Sequence, residues 1–219
     1  MKYAKSVVAG VLFLIAATQF MLGLMIAEAT YPGYSLSGNY ISDLGVGPSS
    51  AIFNASAILF GLLSLVGTYL LASAIDYRIL TMLLGLMSVG AIGVGLVTSE
   101  FTTVHGAVSL TAFWFGGLSA IFSSRILKMP LSAIGVALGL MTLAALALFA
   151  AGLVTTGSLT SDAPPPTSAL FLGIGPGGME RMIVYPALLW LILFSGSLIS
   201  LPEGYESPKG RQGKADSAA

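Results

Sequence analysis

Six stretches of this chain run for about the 20 apolar residues that a helix needs to cross a hydrocarbon core roughly 30 Å thick. They are Ser6–Ala27, Ser50–Ala72, Ile79–Val97, Ala107–Ser123, Leu131–Val154 and Met182–Ser200, and none contains Asp, Glu, Lys or Arg. Apolar residues run all round each stretch, so every face must meet lipid or another helix. Of the 219 residues 56% are hydrophobic and only 8% charged, against roughly 25% charged in an average soluble domain. A water-soluble fold of this length has too little interior for that much apolar surface. The sequence predicts an all-α, polytopic membrane bundle of six transmembrane helices over residues 1–200, with a disordered cytoplasmic tail at 201–219.

Several function classes drop out. Nine basic residues balance nine acidic ones, which gives no basic field for nucleic acid. The absence of Cys removes disulfides, thiolate metal sites and Cys nucleophiles, and the single His105 removes bis-His haem. No cofactor is expected. The expected partner is membrane lipid.

Lys2, Lys5, Arg78, Arg125, Lys128, Lys209, Arg211 and Lys214 fall on one side of the six-span arrangement, and Arg181 alone on the other. The positive-inside rule then places both termini in the cytoplasm of a plasma-membrane protein. Lys2 and Lys5 before an apolar run, with Ala27-Glu28-Ala29 after it, also resemble a signal peptide. The run exceeds 20 residues, however, whereas a signal core spans about 7–15, so a retained helix is expected. The inner connections are short. Two outer ones are long: Glu28–Ser49, and Thr155–Arg181 with Ala163-Pro164-Pro165-Pro166.

Lipid tails compete with Leu for Leu, so helices in a bilayer associate through small and polar residues. Gly135 and Gly139 form a GxxxG, and Ala57/Gly61 and Gly116/Ala120 repeat the spacing. These serve packing within the bundle, or a homo-oligomer through Gly135 and Gly139. Pro186 is expected to kink the last helix. Asn54-Ala55-Ser56 is a formal glycosylation sequon too deep in a span for modification, and Asn54 is expected to hydrogen-bond across helices.

Polar residues gather on the outer side: Asn39, Ser42, Asp43, Asn54, Glu100, His105, Glu180, Arg181 and Tyr185. Helices two, four and six start there, and their N-termini with Arg181 would suit an anion such as a lipid phosphate. Arg181 and Tyr185 share a helix face while Glu180 points elsewhere. Arg181 either grips phosphate or forms a structural ion pair with Asp43 or Glu100. Glu28, at a helix C-terminus, is expected to be solvated, and Glu100 to pair with Arg181 or His105. His105 has three readings: a hydrogen-bonded structural residue, a general base for nucleophilic Ser42 oriented by Asp43 or Glu100, or a metal ligand with Asp43 and Glu100 or Glu180.

The string Asn39-Tyr-Ile-Ser-Asp-Leu-Gly45, with Ala51-Ile-Phe-Asn54, and the string Gly178-Met-Glu-Arg-Met-Ile-Val-Tyr-Pro186 before Trp190 resemble the family known as domain of unknown function 998. The resemblance runs from about Ser6 to Ser200 and implies a prokaryotic six-span membrane protein. A weaker likeness in topology links it to the Frag1/DRAM/Sfk1 type, with roles around lipid. Neither transfers a catalytic residue. The function expected first is binding of a lipid headgroup or small anion at an outer site of Arg181, Tyr185, Asn39, Asn54 and Glu100. The alternative is a lipid hydrolase or transferase using Ser42, Asp43, His105 and Glu180. A small transporter comes third, because no span centre holds a charge.

Overall fold

The computed structural model describes residues 2–157 and 168–200, with side chains from Ala4 onward. The predicted tail and the Ala163–Pro166 stretch lie outside the described residues. Within them the chain forms α1 (Lys2–Thr30), α2 (Ser50–Ala72), α3 (Arg78–Leu96), α4 (Thr102–Phe122), α5 (Leu131–Thr155) and α6 (Gly175–Ile199). All six are long and apolar enough to cross a membrane. Each packs against the next, and α6 returns against α1, so the bundle closes as a ring. The long connection 31–49 and the short one 97–101 share one end, called here the loop face. The connections at 73–77 and 123–130 lie at the opposite end.

Three helices extend further toward the loop face than hydropathy alone suggests. α1 runs through Glu28, α4 begins five residues before Ala107, and α6 begins seven residues before Met182. Helix length follows backbone hydrogen bonding, so polar first and last turns are helical although they carry no apolar signal. The α6 start has a local cause. Pro176 sits in its first turn, where its missing N–H costs no bond. Gly175 adopts φ 76°, a conformation that L side chains rarely take.

Small residues set the close contacts. A Cβ at Gly139 would stand 2.6 Å from the Gly117 carbonyl, and one at Gly61 2.7 Å from the Ser88 carbonyl. Gly139 of the α5 GxxxG therefore packs against α4 of the same chain. Pro186 lies inside α6, which continues through it. The Thr142 hydroxyl on α5 donates to the neighbouring Ile183 carbonyl at 3.2 Å, a side-chain contact to backbone beside the interrupted ladder. Toward the termini the core is filled by Phe13, Trp190, Phe194 and Leu198, with Trp190 stacked on Phe194 at 5.5 Å. The Trp190 ring N–H donates to the Ser123 hydroxyl at 2.9 Å. Val8, Ile15, Leu22, Leu62, Val66, Met82 and Val89 remain exposed on the helix exteriors, as a lipid-facing surface requires.

Candidate functional site

Arg181, in the second turn of α6, reaches the last turn of α1 and pairs with Glu28 at 2.5 Å. The partner is neither Asp43 nor Glu100, and Glu28 is not solvated. Glu28 sits at a helix C-terminus and Arg181 near a helix N-terminus, each the unfavourable end for its own charge. Antiparallel packing reverses this, because each charge then faces the favourable end of the other helix. Read singly, Glu28 looked like a group for water; read against α6, it has a partner.

The Arg181 guanidinium also holds the first loop. One terminal nitrogen donates to the Leu36 and Gly177 carbonyls at 2.8 Å each, and the other donates to Glu28 and to the Tyr34 hydroxyl, the latter at 2.9 Å. Four of its five N–H donors thus meet protein acceptors, and only Nε lacks one. Tyr34 passes the link on by donating to the Tyr40 carbonyl at 2.7 Å. Burial pushes the Tyr34 phenol up to about 12, with Arg181 acting in the opposite sense. Burial also raises Tyr40, and the nearby Glu180 and Asp43 add to the effect.

The loop lies directly on the start of α6. The Gly177 N–H donates to the Ser37 carbonyl at 3.0 Å, and a Cβ at Gly177 would fall 2.0 Å from the Asn39 carbonyl. Any side chain at this point would lift the loop away. Within the loop, Asp43 accepts from the Asn39 amide at 3.1 Å and from the Tyr40 N–H at 2.9 Å. Asn39 in turn accepts from the Ser35 N–H at 3.0 Å. Asn54 donates to the Gly45 carbonyl at 2.9 Å, tying α2 to the loop and not to another helix as expected. Asn39, Asp43 and Asn54 therefore build the loop that they were expected to equip.

The Ile41 N–H donates to the carboxylate of Glu180, which is 7% exposed. This contact anchors the one-turn helix Ser42–Gly45 over the bundle. Beneath it lies a cavity of about 80 Å³ lined by α1, α2, α3, α4 and α6. Phe20, Phe53, Phe60, Phe113 and Met87 form much of its wall, and its polar lining residues are Ser42, His105, Ser109 and Glu180. The lining extends to Leu191, about 24 Å along α6 from Gly175 at a rise of 1.5 Å per residue. His105 places Nδ1 2.6 Å from the Val97 carbonyl. A carbonyl only accepts, so Nδ1 carries the proton and Nε2 of the neutral ring is an acceptor.

The predicted residues thus divide into four sets, of which Asn39, Asp43 and Asn54, which build the loop, are the first. Arg181 forms a structural clamp with Glu28 and Tyr34, while Tyr185, one turn on, is half-buried against the core. Ser42, His105 and Glu180, three residues of the alternative hydrolase or transferase reading, line one cavity. Glu100 stands apart, exposed, with the Thr98 hydroxyl donating to it at 3.2 Å, and pairs with neither Arg181 nor His105. A catalytic triad is not assembled, since a backbone carbonyl occupies the His105 nitrogen that Asp43 or Glu100 would have oriented. Among the described residues no three His, Cys, Asp or Glu side chains gather as metal ligands, so the reading of His105 as a ligand with Asp43 and a glutamate does not hold. Glu28 and Tyr34 were missed. The available signal was the unfavourable helix end of Glu28, which calls for a countercharge.

The family model described as "Protein of unknown function (DUF998)" matches residues 14–196, a span from α1 to the last turns of α6 that includes the clamp, the loop and the cavity. No curated protein and no solved structure matches the chain, and nothing supports the weaker Frag1/DRAM/Sfk1 likeness. This six-helix membrane protein belongs to the DUF998 family.

Proposed function

We propose that the protein binds one membrane lipid at its loop face, with the apolar part in the cavity between α1, α2, α3, α4 and α6 and the polar part toward Ser42, His105 and Glu180. The observation that carries this reading is the cavity itself, whose wall is apolar except for those residues and Ser109. Apolar pockets with a few convergent polar groups are the usual form of a small-ligand site. The basic residues, gathered on the opposite side, favour a loop face directed outward from a plasma membrane. Of the two readings of Arg181, phosphate grip or structural ion pair, the second is favoured by its donors to Glu28, Tyr34, Leu36 and Gly177. Its role becomes that of holding the loop over the site. The packed layer of Phe13, Trp190 and Phe194 on the side of the termini favours holding a ligand over passing one through.

The test is native mass spectrometry of detergent-purified protein. Gly116 borders the cavity, and a Cβ there meets only Met87 at 3.6 Å, so Gly116→Leu fills the space without striking backbone. Gly85, with nothing within 4 Å, gives the matched control Gly85→Leu on the outer side of α3. A lipid retained by the wild type and Gly85→Leu and lost by Gly116→Leu is the expected result. Equal retention by all three would refute the site.

A further inference from the structure

We infer that the cavity selects a single-chain amphiphile whose head donates hydrogen bonds, an alcohol or an ammonium, and discriminates against anionic heads; this rests on the cavity being a lipid site. Three observations converge. First, no Lys or Arg lines the cavity, whereas Glu180 does. The nearest guanidinium, Arg181, has four of its donors on protein acceptors, and its charge is matched by Glu28. A phosphate or carboxylate entering this wall would lose hydration, gain no cation and meet the acidic Glu180.

Second, the hydrogen-bonding character of the wall is weighted toward acceptance. The His105 proton is fixed on Nδ1 by the Val97 carbonyl, so Nε2 offers a lone pair. Glu180 offers carboxyl oxygens, and the hydroxyls of Ser42 and Ser109 act in either sense. Glu180 already accepts from the Ile41 N–H, and the lone pairs that remain in this apolar setting favour a head that donates. An O–H or N–H head does so; a dianionic head brings only more acceptors.

Third, the cavity is small. Its volume of about 80 Å³ is roughly half the ~150 Å³ of an engineered cavity that admits benzene, and the rings of Phe20, Phe53, Phe60 and Phe113 bound it. That volume has room for part of one chain only. A two-chain lipid would have to leave its second chain outside.

The experiment uses four photoreactive probes with the same diazirine-bearing alkyl chain and different heads: amine, alcohol, carboxylate and phosphate. Each is crosslinked separately to the full chain in nanodiscs, and the labelled residues are mapped by peptide mass spectrometry. The expected result is labelling of cavity residues by amine and alcohol about tenfold above the two anions, abolished by Gly116→Leu and unchanged by Gly85→Leu. Glu180→Gln keeps an acceptor for the Ile41 N–H and removes the ionisable carboxyl, so it should lower amine labelling toward the alcohol level. Cavity labelling that is equal for all heads, or stronger for the anions, overturns the head selection and leaves the lipid site standing. Absence of cavity labelling by any probe overturns the lipid site as well.

Discussion

Replacing Arg181 by methionine keeps much of the side-chain volume and removes the charge together with its donors to Leu36, Gly177, Glu28 and Tyr34. The pair is well shielded, with Arg181 and Glu28 side chains 9% and 15% exposed. Removing one partner of such a pair strands the other and costs about 3–5 kcal/mol. For a protein of this size that corresponds to a fall in melting temperature of about 6–20 °C. The assay is thermal unfolding of the purified protein in one fixed non-ionic detergent. A double-mutant cycle with Glu28→Gln supplies the sharper number. Once Glu28 is neutral, the methionine leaves no buried charge behind, so the double variant should be more stable than the sum of the singles predicts by about 1–3 kcal/mol. Arg125 makes the comparator: it is exposed and lies 5.6 Å over the Tyr77 ring, so Arg125→Met should cost only about 0.5–1 kcal/mol. Equal melting of Arg181→Met and Arg125→Met, or additive behaviour in the cycle, would refute the clamp.

The Tyr34 phenol, raised in the folded protein above its ordinary value of 10 to about 12, predicts an alkaline loss of stability. Its contribution is complete below pH 10 and declines as pH rises through about 12, because the unfolded chain releases that proton first. Tyr34→Phe should flatten this decline in unfolding measurements across that range. Gly139→Leu, which drives a side chain toward the Gly117 carbonyl 2.6 Å from a Cβ, should destabilise the fold by roughly 1–3 kcal/mol without changing the oligomeric state seen by light scattering. Since the chain has no Cys, single cysteines report topology cleanly. In intact cells Glu100→Cys should react with an impermeant maleimide, and Asp76→Cys should react only after permeabilisation.

The bundle was legible in the sequence because each span carries its own signal, about twenty uncharged apolar residues in a row. The ends of the helices were not. Gly175-Pro176-Gly177-Gly178 reads locally as a turn, since Gly is a poor helix former. The loop backbone at Ser37 and Asn39 is what demands Gly175 and Gly177, and it lies far away in sequence. Arg181 stood out as the one basic residue on its side, but its partner did not, because Glu28 is 153 residues away. The contact between Ile41 and Glu180 spans 139 residues and involves a main-chain N–H, which no side-chain pattern announces. Glu180 was set apart from Arg181 correctly as a matter of helix geometry. That same geometry turns it into the cavity, an assignment that needs the whole ring of helices.

The bond between Glu28 and Arg181 joins the first helix to the last, and this has a consequence for how the chain is made. Synthesis at about 5–20 residues per second takes roughly 8–30 s to cover the 153 residues between them. During that interval α1 has already emerged, bearing an acid at the membrane boundary with no countercharge. The ring can close only when α6 arrives, so a nascent chain halted before Arg181 retains an open seam and an unmatched carboxylate. Completion of the protein is thereby written into its electrostatics: full-length chains differ from truncated ones by a charge pair as well as by a helix.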